Sequence, residues 1–130
     1  MAIQVMALDE LLTELRLRRW TLFRWGEADD PALVAALYKW RGSADVIILR
    51  RNRTATGYRA PTPDDAEILR PRVVSFQYHG PPLWTLRAIL TLSAPGPGDT
   101  HTELPHRDCR IPDGLPKPIV IRPLGTARGW

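Results

Sequence analysis

A chain of 130 residues with 44% apolar and 25% charged residues has the make-up of an ordinary globular domain, which excludes wholesale disorder. No apolar run approaches the ~20 residues that a membrane-crossing helix needs, and residues 1–8 lack the basic start, long apolar middle and cleavage site of a secretory signal, so a cytoplasmic setting is expected. The net charge of +4 is spread, +3 over residues 1–60 and +1 over residues 61–130, and so permits a nucleic-acid partner without requiring one.

The first predicted element is a helix over about residues 9–19, with Asp9 as its N-cap and Leu8, Leu11, Leu12 and Leu15 recurring at three- and four-residue steps. Residues 20–25, rich in aromatic side chains, read as a strand ended by Gly26. Asp30 before Pro31 looks like a capped helix start, and Gly42 like a helix end, which predicts a second helix over 31–41 with Leu33, Val34, Leu37 and Tyr38 on its buried stripe. The unbroken apolar run Val46-Ile47-Ile48-Leu49 fits a central strand covered on both faces. A turn at Arg51-Asn52-Arg53 then leads to a partner strand over 54–59. Thr62-Pro63-Asp64-Asp65 starts a short helical stretch over 63–69, stopped by Pro71.

Residues 72–92 carry the clearest two-residue period. Val74, Phe76 and Tyr78 share one parity, Gly80-Pro81-Pro82 interrupts, and Trp84, Leu86, Ala88, Leu90 and Leu92 resume on one parity. Wound as a helix the second half scatters its apolar residues around the circle, so the pattern predicts an antiparallel hairpin at the centre of the core. From Ser93 onward the composition changes, with seven of the 13 prolines and five of the 9 glycines in the last 38 residues. Only 117–124, around Ile119-Val120-Ile121, reads as a strand, and its prolines confine it to a sheet edge. The fold expected is α+β: a mainly antiparallel sheet of about five strands, two helices on one face, and a Pro/Gly-rich extension. The expected division is a compact core over 1–92 and an extension over 93–130 belonging to the same domain.

Cys109 is the only cysteine, which rules out an intramolecular disulfide and fits a reducing compartment. Together with His101 and His106 it forms the densest set of metal-ligating side chains. The paired Cys-x-x-Cys of a structural zinc site is absent, and His79 or Asp113 would have to complete the set across the fold. Activation of Cys109 by His106 is weaker still, because proximity in sequence is not proximity in space. His79 more readily caps a strand than acts as a base. Asp64, Asp65 and Glu67 are explained by a helix dipole. No Walker-type or dinucleotide glycine pattern is present, and no cofactor is expected.

Arginine outnumbers lysine sixteen to two, a bias that GC-rich coding explains as readily as function. Arg50, Arg51 and Arg53 at a hairpin tip, with Arg59 on the returning strand, form the best basic patch for phosphates, and Tyr58 could stack on bases. Five tryptophans are many for this length. Trp40, beside Lys39 and Arg41, and Trp130 at the C-terminus are the types enriched at interface hot spots. With no catalytic motif, the sequence reads first as a non-catalytic protein-protein interaction module: an adaptor, a regulator or a subunit of an assembly, with another protein as its partner. A nucleic-acid binder is second, and a small enzyme or metal site using the tail histidines and cysteine third.

Overall fold

Val46, Ile47, Ile48 and Leu49 lie where so apolar a run must lie, in an inner strand buried on both faces. The structure, a computed structural model, describes residues 2–61, 68–96 and 101–124, with the backbone alone for residues 2–8. Its elements are helix α1 (Ala2–Leu17), strands β1 (Thr21–Gly26), β2 (Pro31–Trp40), β3 (Ser43–Arg50), β4 (Ala55–Pro61) and β5 (Phe76–Gly80), helix α2 (Pro82–Leu90) and strand β6 (Ile119–Ile121). The six strands form one sheet in the order β5-β4-β3-β2-β1-β6, antiparallel throughout. The protein is α+β, and no helix among the described residues is long and apolar enough to cross a membrane.

Both faces of the sheet carry a buried apolar cluster. On one, Leu22, Val34, Ala36, Ile47, Leu49 and Ala55 pack with Leu15 of α1 and with Leu86 and Ile89 of α2. On the other, Trp25, Leu33, Ala35, Val46, Ile48, Tyr58 and Ala60 meet Ile68, Val74, Cys109 and Ile111, all four outside the α-helices and the strands of the sheet. The two helices thus share one face, and segments 68–74 and 101–115 cover the other. Burial of each such aliphatic side chain contributes about 1.5–3 kcal/mol.

Two predicted elements exchange their types. Residues 31–41 are not a helix but strand β2, paired with β1 and β3 along its length. Leu33, Ala35 and Leu37 face one layer and Val34, Ala36 and Tyr38 the other. A strand buried on both faces has no polar parity, so a helical stripe can be drawn through it by accident. Gly42 ends no helix. It takes φ 82° in the two-residue connection that lets Trp40 pair with Ser43. Conversely, residues 84–92 are not the second strand of a central hairpin: residues 82–90 form α2, with Pro82 in its first turn. Thr85, Leu86 and Ile89 make its buried stripe, while Leu83 and Trp84, whose apolarity blurred the helical pattern, are exposed. Of that hairpin only β5 is a strand.

Smaller differences follow from continuity. Helix α1 begins seven residues before Asp9, which is therefore interior and not a cap; nothing in 2–8 breaks a helix. The sheet has six strands where about five were expected. The short helix expected over 63–69 falls mostly outside the described residues, and 68–70 form a turn.

Near the open ends of β3 and β4, Asp45 and Arg59 form a buried cross-strand ion pair. Arg59 Nε donates to Asp45 Oδ1 at 2.6 Å and an Nη to Oδ2 at 3.0 Å, with side-chain exposures of 6% and 4%. The other Nη donates to the carbonyl of Ser93 at 2.8 Å, just beyond α2. The pair therefore fixes where the second helix ends. Removing one partner strands the other charge, so Asp45→Ala should lower unfolding free energy in urea by about 3–5 kcal/mol, while Asp45→Leu combined with Arg59→Met should recover most of that loss. Gly57 of β4 touches α2 so closely that an added Cβ would overlap Ile89 Cγ1. Gly57→Ala should cost about 1–3 kcal/mol in the same assay.

Candidate functional site

The irregular face gathers most of the chemistry-bearing side chains that the sequence scatters. In register, Tyr58 opposes Gln77 and Thr56 opposes His79, so Gln77 and His79 project from β5 onto the face that the tail covers. The Gln77 amide then engages the tail with every polar atom it has. Its Nε2 donates to Glu103 Oε2 at 2.6 Å and to the carbonyl of Leu104 at 3.1 Å. Its Oε1 accepts the backbone N–H of His106 at 2.9 Å and the Cys109 thiol at 3.3 Å, and lies 3.1 Å from His79 Nε2. A backbone bridge between Val74 and Glu103 extends the attachment.

Around this amide three groups converge. His79 and His106 have ring centroids 4.8 Å apart. Asp108 places Oδ2 3.6 Å from His106 Nδ1, and its own backbone N–H donates to that nitrogen at 3.1 Å, capping a single 3-10 turn over Arg107–Cys109. His79 Nδ1 lies 3.1 Å from Thr56 Oγ1, which also receives Arg50 at 3.0 Å. Another Arg50 nitrogen donates to the carbonyl of Asp108 at 2.7 Å. Desolvation first, then the neighbouring His106, holds His79 below the ordinary histidine pKa and so favours the neutral ring.

Beside this cluster runs an open groove of about 700 Å³ between the β3–β4 turn and the tail, lined among others by Arg50, Arg51, Asn52, Arg107, Asp108 and Arg110. Arg107 and Arg110 are exposed and form no hydrogen bond or ion pair among the described residues. Arg51 leans on Asp30 at 3.4 Å, an exposed interaction worth little. The groove is basic, with aspartates at its rim.

The residues singled out in the sequence fall as follows. Arg50 is half-buried and turned inward; Arg51 and Arg53 are exposed at the turn, where Arg53 adopts φ 66°. Arg59 lies on the helix-covered face, spent on Asp45, and cannot join them. Tyr58 is fully buried and donates its hydroxyl to the carbonyl of Ile68, so it stacks on no base. Trp40 is half-buried, its indole N–H held by Asp45 Oδ2 at 3.0 Å and its ring against Tyr38 and Arg59, while Arg41 is exposed in the turn after it. Trp130 lies outside the described residues. Of the metal set, His106 and Cys109 come together at Gln77, whereas His101 is paired with Glu103 at 3.2 Å. Asp113 binds Arg70 at 3.2 Å instead of completing that set. Asp108 and Glu103 stand between the histidines and Cys109 in the sequence and so belong to the same suspected cluster; sequence reasoning missed Gln77, Arg107 and Arg110, since none carries a local signal.

Cys109 is 1% exposed, and burial pushes its thiol up to about 11, which removes the thiolate that nucleophilic work needs. In the native protein at neutral pH it should therefore react with a disulfide reagent at least roughly a hundredfold more slowly than in urea, as followed by release of the chromophore. Comparison of the chain with protein-family models, with curated proteins and with solved structures finds no match in any of the three.

Proposed function

We propose that the protein is a non-catalytic binding module and that its groove takes the phosphate backbone of a nucleic acid. The observation that carries this reading is the pair Arg107 and Arg110, exposed and without an anionic partner among the described residues, on the wall of a groove that Arg50 and Arg51 make more basic. Guanidinium groups match phosphate oxygens two at a time. Among the described residues the groove is lined by arginine, asparagine, aspartate and aliphatic side chains and by no aromatic ring, a lining suited to phosphate contacts, which carry little sequence discrimination. The single buried cysteine supports a cytoplasmic setting.

The test is fluorescence anisotropy with labelled duplex and single-stranded oligonucleotides across a salt series. Replacing both Arg107 and Arg110 by Ala should weaken binding to either probe and should flatten the duplex salt slope by about 0.9 for each phosphate that the variant no longer neutralises. Unchanged slopes would overturn the reading. A second reading, association with another protein, is favoured by Leu83 and Trp84, 47% and 53% exposed on the first turn of α2. It requires a partner that survives nuclease treatment and no longer binds Trp84→Ala.

A further inference from the structure

We propose that His79, His106 and Asp108 form a binding site for one divalent transition-metal ion of the zinc class. This inference is independent of the nucleic-acid reading. Two imidazoles and a carboxylate are the donor set of exchangeable and catalytic zinc, and three protein ligands leave a coordination position open. One ligand atom from each residue lies within 4.8 Å of the other two. Ligands of tetrahedral zinc sit roughly 3.4 Å apart, so the site must contract. The freedom is available, because the His106 and Asp108 side chains are 51% and 47% exposed.

The backbones that carry these ligands are already positioned. Gln77 Oε1 holds the N–H of His106 and Arg50 holds the carbonyl of Asp108, neither bond using an atom that would ligate. His79 has a partner on each ring nitrogen, Thr56 on one and Gln77 on the other. Whichever nitrogen takes the metal, the other keeps a hydrogen bond that fixes the tautomer and the ring plane, as in established histidine–metal sites. At His79 the ion would displace one hydrogen bond and leave the other in place; at His106, ligation through Nδ1 would displace the Asp108 N–H, whereas Nε2 is unencumbered among the described residues. Opposing it is the nearby guanidinium of Arg50, so the binding expected is weaker than that of a folding metal. Asp108 also lines the groove, so the open coordination position belongs to the same face of the protein as the arginines.

The experiment is calorimetric titration of tag-free protein with zinc alone, followed by Co²⁺ substitution. The expected result is one site, with visible d–d bands of nitrogen and oxygen coordination for Co²⁺. His106→Ala and Asp108→Asn should each weaken binding more than roughly tenfold, whereas His101→Ala, which removes a histidine outside the cluster, should leave it unchanged. Both informative side chains are half exposed, and circular dichroism of each variant should match that of the parent protein. Overturning results are no heat up to millimolar zinc, or binding that His106→Ala and Asp108→Asn leave intact.

Discussion

A six-stranded sheet with two apolar faces needs two covers, and among the described residues α-helices supply only one. Leu15, Leu86 and Ile89 close the helical side. The opposite side is closed by Ile68, Val74, Cys109 and Ile111, carried by turns, an isolated bridge and a single 3-10 turn. An irregular cover carries unpaired backbone groups that must find partners, and that necessity explains much of what surrounds it. Gln77 supplies both a donor and an acceptor from the edge strand β5; Arg50 takes the carbonyl of Asp108, Arg70 that of Pro112, and Trp25 that of Pro116. The side chains that fasten the cover are therefore polar and long, and they bring charge to a surface that a helix would have left plain.

The proposed functions grow from the same circumstance. Residues 105–113 are held at several points by the sheet yet keep their outward side chains in water, so Arg107, Asp108 and Arg110 are presented on fixed backbone. His79 reaches them from β5. A rigid strand meeting a fastened loop is a favourable setting for recognition, because the scaffold bears the ordering cost before any ligand arrives.

Legibility from sequence followed burial. The central strand was readable from Val46 to Leu49 because no other element of this length is so apolar, and the turn at Arg51-Asn52-Arg53 and the edge strand at Ile119 were readable from local chemistry. Strand β2 was not, since Asp30-Pro31 and Gly42 are equally good punctuation for a helix and for a strand between turns, and only its two buried faces decide. Helix α2 was hidden by Leu83 and Trp84, apolar residues that the fold leaves outside. At the candidate site, the sequence groups His106 and Cys109 with His101 and offers His79 or Asp113 to complete the set, without deciding which of them converge. Their meeting depends on Gln77, whose partners Glu103, Leu104, His106 and Cys109 lie 26 to 32 positions away, and such pairing leaves no local trace. Arg59 misled for the opposite reason: an arginine next to a basic turn in sequence sits on the other face of its strand.

Strand β6 comes from the same tail, and Leu22, Phe23 and Arg24 of β1 pair with Ile121, Val120 and Ile119. Without it β1 would present an unpaired ladder of aromatic and aliphatic residues, a template onto which another extended chain could add. With it, the rim of the sheet is three residues long, between Pro118 and Pro123, and proline offers no N–H to recruit a further strand. By covering β1, the tail leaves the sheet with only short edge strands, β6 of three residues and β5 of five, and shortness is itself a barrier to edge-to-edge pairing.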